Sequence, residues 1–164
     1  HEHVRAMAQL FLRNTCPGVP DLYRGAALPD RSLVDPDNRR PVDFDLREKL
    51  LDEGGSPQQA LIRDLLHLRR MHPEPFTGAY SPVQIEGDHA SDLIAFTRGE
   101  GQDRLLMVCA LGLRSGADVP GFAVSNMAAW QHTRLAGIGR SIADMGENLL
   151  TGDPPCAVWK LGED

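Results

Sequence analysis

Near residue 78 the pattern of apolar residues changes its period, so helices and strands must be built in succession rather than interleaved. Upstream, Val4, Met7, Ala8 and Phe11 fall at i, i+3, i+4 and i+7, the spacing of one buried helix face. This predicts a helix over about residues 2–13, closed by Asn14 and then Pro17-Gly18. A second helix is expected over 44–53, with Asp45 and Glu48 in capping-box spacing and Gly54-Gly55 as its end. The clearest helix starts at Ser56, with Pro57 at the first helical position and Gln59 completing a capping box. Leu61, Ile62, Leu65, Leu66 and Leu68 give it an apolar stripe, and Pro73 stops it.

Downstream the signal is that of strands. Residues 83–86, 93–97, 105–111, 130–135, 148–150 and 157–161 are short apolar or alternating runs separated by Gly, Asp and Pro. Asp88, His89 and Asp92 fall where a hairpin turn is expected. The sequence therefore divides into residues 1–78, mainly helical, and 79–164, all-β. The helical part opens at His1 directly in mid-period, which suggests a piece of a longer protein.

Composition narrows the function classes. With 41% hydrophobic and 24% charged residues, the 164-residue chain is of ordinary globular type. A net charge of −6 argues against nucleic acid as a partner, because phosphate binding needs a basic face. No apolar run approaches the ~20 residues that cross a bilayer, so no membrane partner is expected. Cys16, Cys109 and Cys156 are odd in number and far apart, which suggests neither a disulfide framework nor a zinc site and favours a cytoplasmic location. Cys109 lies in the apolar run Leu105-Leu106-Met107-Val108-Cys109-Ala110-Leu111 and reads as a small core residue. The six histidines show no metal-ligand spacing beyond His1-x-His3, and no metal or organic cofactor is expected. Trp130 and Trp159 are expected in the core, with a sugar-stacking platform as the alternative.

One constellation is dense enough to bind something. Segment 17–25, Pro-Gly-Val-Pro-Asp-Leu-Tyr-Arg-Gly, contains a candidate strand at 19–23, although Pro20 demotes it to an edge or a strand start. It runs into a long loop that ends Ser32-Leu33-Val34-Asp35-Pro36-Asp37-Asn38-Arg39-Arg40-Pro41-Val42-Asp43. Arg39 and Arg40 offer planar forks of donors, Asp35 and Asp37 offer acceptors, and Asn38 offers both. In a cleft, such groups bind the adjacent hydroxyls of a sugar in pairs. The alternative is internal: Asp and Asn capping turns, arginines pairing with them, and Asp43 serving only as an N-cap. Tyr23 either stacks on a sugar or packs at a strand end.

These two segments resemble the end of the catalytic barrel in malto-oligosyltrehalose synthases, a family of the α-amylase clan of glycoside hydrolases. Weaker likeness continues through Leu68-Arg69-Arg70-Met71-His72-Pro73-Glu74, Phe76-Thr77-Gly78-Ala79-Tyr80, Ile94-Ala95-Phe96-Thr97-Arg98, Trp130-Gln131-His132-Thr133 and Leu149-Leu150-Thr151-Gly152. The resemblance implies an α+β fragment: the last strand and helices of a (β/α)8 barrel, followed by an antiparallel β-sandwich C-terminal domain. It implies that a maltooligosaccharide is the substrate and that Tyr23, Asp35, Asp37, Asn38, Arg39 and Arg40 help to bind it. It also implies that the remainder of the barrel is the partner, since no aspartate here matches the clan's catalytic motifs. The implied reaction is an intramolecular transglucosylation without organic cofactor. A maltooligosaccharide-binding module and another clan hydrolase are the alternatives. One departure stands out. Where the family has a Gln-Gly-Thr-Glu-Leu-Trp type of sequence after Tyr23, this chain has Arg24-Gly25-Ala26-Ala27-Leu28-Pro29, which replaces a carboxylate and an aromatic by Ala27 and Pro29.

Overall fold

The computed structural model describes residues 2–29, 39–112, 119–146, 148–150 and 155–162. Helix α1 spans Glu2–Thr15, α2 spans Phe44–Asp52, α3 spans Pro57–Met71 and the short α4 spans Pro73–Thr77. Ser56 accepts from the Gln59 backbone N–H while its own N–H donates to Gln59 Oε1, so the expected capping box of α3 is formed. The cap of α2 is Asp43 rather than the Asp45–Glu48 pair: Leu46 N–H donates to Asp43 Oδ1 at 2.8 Å. Helix α4 was not expected. Pro73 ends the long helix as anticipated, but its fixed φ also starts the next turn.

Seven strands follow among the described residues: β1 Tyr80–Pro82, β2 Ile85–Gly87, β3 Leu93–Arg98, β4 Arg104–Ala110, β5 Thr133–Leu135, β6 Arg140–Ser141 and β7 Cys156–Leu161. They form two antiparallel sheets, one ordered β1-β3-β4-β7 and the other β2-β5-β6. The expected strand at 83–86 is split, because the chain leaves one sheet at Pro82 and enters the other at Ile85. Asp88 to Asp92 consequently link two different sheets and do not close a hairpin. The strand expected at 130–135 shortens to Thr133–Leu135, since Val124–Trp130 winds as a 3-10 helix. At 148–150 there is no strand; Leu150 N–H donates to the Asn148 side chain, a local turn that competes with the ladder. The two-residue β6 was not foreseen.

The strand expected at 19–23 does not form either. Residues 19–23 take no regular secondary structure, with Val19 94% and Tyr23 70% exposed. Pro20 offers no N–H to a ladder, and Gly18 at φ +119° turns the chain just before it.

The four-stranded sheet is the middle layer. On β4, Leu105, Met107 and Cys109 face α1 and α3 and share one core with Met7, Leu10, Phe11, Leu61, Leu65 and Leu68. Leu106, Val108 and Ala110 point the other way, into a second core with Phe122, Trp130, Leu135, Ile142 and Trp159. Both faces of β4 are covered, which explains why it reads as one continuous apolar run and not as an alternation. Trp130 stacks on Phe122 at 4.6 Å, and Trp159 meets the same ring edge-on at 5.9 Å. Each indole N–H is satisfied by a backbone carbonyl, Gly121 and Gly146 respectively, so both tryptophans are core residues rather than platforms.

Candidate functional site

The polar loop begins where α1 ends, and that end is held from the far side of the fold. Arg98, 2% exposed at the close of β3, directs its guanidinium at the carbonyls of Thr15, Pro75 and Phe76. Arg69 of α3 donates to Asn14 O at 2.9 Å and lies over the Phe76 ring at 4.6 Å. The carbonyl end of α1 carries partial negative charge, which suits two cations. Burial lowers the pKa of both guanidines, and for Arg98 the neighbouring Arg69 adds to the effect.

From this anchored end the chain crosses to a turn at Tyr23–Leu28. Arg13 donates to Asp21 O at 3.2 Å on the way. Arg24 adopts φ +45° and Gly25 φ +69°, a left-handed pair that only the second residue tolerates without cost. Arg47 of α2 then locks the turn: its Nε donates to Gly25 O and its Nη1 to Asp43 O, each at 2.8 Å. A Cβ on Gly25 would lie 2.5 Å from that Nε and 2.7 Å from Val42. Arg24 Nη2 donates to Arg40 O at 3.1 Å, so both ends of the long loop are drawn together. Gln59 completes the frame by donating to Arg47 O at 3.0 Å.

Of the residues expected to bind sugar, Tyr23, Arg39 and Arg40 are described, and all three are exposed. The turn brings the Arg40 backbone beside Arg24, one residue on from Tyr23. Asp35, Asp37 and Asn38 lie outside the described residues. Asp43 is accounted for as the cap of α2. Two concavities flank the turn. A pocket of about 200 Å³ lies between α1 and the residues after the turn, lined by Gln9, Leu10, Arg13, Leu28, Pro29 and Gln58. A more open groove of about 670 Å³ runs along α3 past Leu51, Ile62, Leu66 and His67, with Ala27 in its wall. Ala27 and Pro29, the two departures, each line one of these hollows. Among the described residues no cluster of three or more metal-ligating side chains occurs.

Sequence reasoning missed the arginines that build the frame. Arg98 carried the only usable signal, a charged residue closing the otherwise apolar Leu93-Ile94-Ala95-Phe96-Thr97 strand. Arg47 and Arg69 look like ordinary solvated helix residues.

Two proteins of Mycobacterium tuberculosis, from strains CDC 1551 and H37Rv and provisionally named maltooligosyl trehalose synthase, are each 48% identical to this chain over 136 residues. The matched part is 82% of this chain and 16% of theirs. The chain is related to part of the maltooligosyltrehalose synthases. The solved structure of a point mutant of the synthase from Arthrobacter ramosus agrees, superposing with a TM-score of 0.62 at 33% identity. That superposition takes in 94% of this chain and 21% of the synthase, so the chain spans about a fifth or less of the relatives it matches. No protein-family model matches.

Proposed function

We propose that this chain is the C-terminal portion of a malto-oligosyltrehalose synthase. The whole enzyme, an isomerase of the α-amylase clan, would convert the reducing-end α-1,4 bond of a maltooligosaccharide to α,α-1,1 in trehalose biosynthesis, in the cytoplasm. What carries the reading is the 48% identity to proteins so named, sustained over most of this chain. Residues 1–78 would end the catalytic barrel and 79–164 form the β domain behind it. Segment 19–23, which pairs with no strand among the described residues, would become the barrel's last strand once neighbouring strands supply partners. Its exposed Val19 is consistent with a surface made to be covered.

Within that enzyme the chain binds sugar and does not break the glycosidic bond. Tyr23, Asp35, Asp37, Asn38, Arg39 and Arg40 contact the maltooligosaccharide on the loop framed by Arg24 and Arg47. A retaining transfer needs a nucleophile and an acid/base roughly 5–5.5 Å apart, and both come from the preceding part of the barrel.

The test is to offer maltopentaose to the chain alone and to the longer protein recovered from the source cells with an antibody against this segment. The expected outcome is loss of reducing ends only with the longer protein. In that protein, Arg39→Ala or Arg40→Ala should weaken maltopentaose binding by about tenfold, the worth of one charged hydrogen bond. Conversion by the chain alone, or a native protein no longer than this chain, would overturn the proposal.

A further inference from the structure

The three cysteines, remote from one another in sequence, meet at one place in the fold. Cys109 and Cys156 are directly opposite across β4 and β7. Both are free, fully buried, and turned to the helical face of the sheet. Cys16, the residue after α1, is half-buried and packs against that same core.

The register gives the pair its geometry. Ala110 N–H donates to Pro155 O at 2.7 Å, so the pair at 110 and 155 is a hydrogen-bonded one. Antiparallel ladders alternate, which makes Cys109 and Cys156 a non-bonded pair, with Cα atoms about 4.5 Å apart and side chains at their closest. That separation lies inside the roughly 4.4–6.8 Å window a disulfide requires, at its short end. Only Cys16 has surface to meet a reagent.

We propose that Cys109 and Cys156 are an oxidisable dithiol that closes to a cross-strand disulfide, with Cys16 as the entry thiol. The oxidant is a small-molecule disulfide such as oxidised glutathione. The Cys16 thiolate attacks it, forming a mixed disulfide and releasing one glutathione thiolate. Cys109, losing its proton, attacks the Cys16 sulfur and expels the second glutathione. Cys156 then attacks the Cys109 sulfur, giving the Cys109–Cys156 bond and returning Cys16 as a thiol. In sum, two cysteine thiols lose two electrons and two protons, and one small disulfide becomes two thiols.

The electrostatics are consistent with this order of events. Burial, then Cys16, pushes the Cys109 thiol up to about 12. Burial, then Cys109, raises the Cys156 thiol well above its usual value. Cys16 is also raised by burial, but Arg98 opposes the rise by favouring the thiolate. The bond would tie the start of β7 to β4 directly beneath the end of α1 that leads to the candidate sugar loop.

The experiment treats the chain with oxidised glutathione, blocks remaining thiols after unfolding, and maps linkages in a non-reduced tryptic digest. The cysteines fall in separate peptides, 14–24, 105–114 and 141–160. The expected result is a linked 105–114/141–160 species and a fall in free thiols from three to one. In Cys16→Ser the same link should form at least tenfold more slowly. Full retention of the Cys109 and Cys156 thiols, or a glutathione trapped on Cys16 that never moves on, would overturn the pair. An unchanged rate in Cys16→Ser would overturn the relay.

Discussion

The four-stranded sheet and the loop it supports are stabilised by opposite means. In the sheet, β4 is covered on both faces, and its side chains supply the cohesion through burial of apolar surface. In the described residues between Cys16 and Asp43 no side chain is fully buried, and beyond the partial packing of Leu22 and Ala27 the backbone is held by arginine side chains gripping main-chain carbonyls. The first arrangement depends on volume and tolerates no cavity. The second depends on direction and fixes the backbone while leaving Tyr23, Arg39 and Arg40 facing solvent. A binding loop needs the second kind, because side chains consumed by packing cannot meet a ligand.

The contrast is broken most forcefully at Phe11. It is wholly buried between α1, α3 and the sheet, so Phe11→Ala should cost about 3–5 kcal/mol. Urea unfolding followed by far-ultraviolet dichroism and by tryptophan fluorescence should shift together, since Trp130 and Trp159 sit on the other face of the same sheet. Separated transitions would mean that the helical layer and the sheet are independent. Arg98→Met comes next, at roughly 2–4 kcal/mol, because three carbonyls each lose a charged donor, and of these Pro75 O keeps a bond from Gly78 N–H. Arg98→Lys should recover less than half, as one ammonium cannot reproduce the fork.

Smaller effects separate the loop from the core. Gly25→Ala should cost about 1–2 kcal/mol, because the left-handed backbone is strained for alanine and the new Cβ displaces Arg47. Its signature is faster tryptic cleavage after Arg24 and Arg39 with little change in the tryptophan environment; a changed tryptophan spectrum would mean that the loop and the core are coupled. Ser56→Ala should cost about 1 kcal/mol through the lost cap, read from the urea midpoint.

How far the sequence could be read follows the same division. Helix α3 was legible because capping box, proline, apolar stripe and stop signal all agree locally. Strands β3, β4 and β7 were legible from their apolar runs to within a residue or so. The short pieces were not: β5, β6 and the turns around Trp130 are set by which sheet the chain is visiting, a non-local fact. The 19–23 expectation failed because a strand is defined by a neighbour, and none pairs with it among the described residues. At the site, the polar residues announced themselves by density. The arginines that position the loop did not, because what distinguishes them is a carbonyl remote in sequence.

The Arg98 clamp has an evolutionary corollary. Its three acceptors are peptide carbonyls, contributed by Thr15, Pro75 and Phe76, and every amino acid carries one. The hydrogen bonds of the clamp therefore place no demand on the side chains at those positions, provided the backbone path is kept. Any demand there has another source, as at Phe76, which is buried in the core and lies under Arg69. Among diverging copies of this segment, the pattern such a joint would leave is a fixed arginine at 98 opposite acceptors whose side chains vary wherever packing allows.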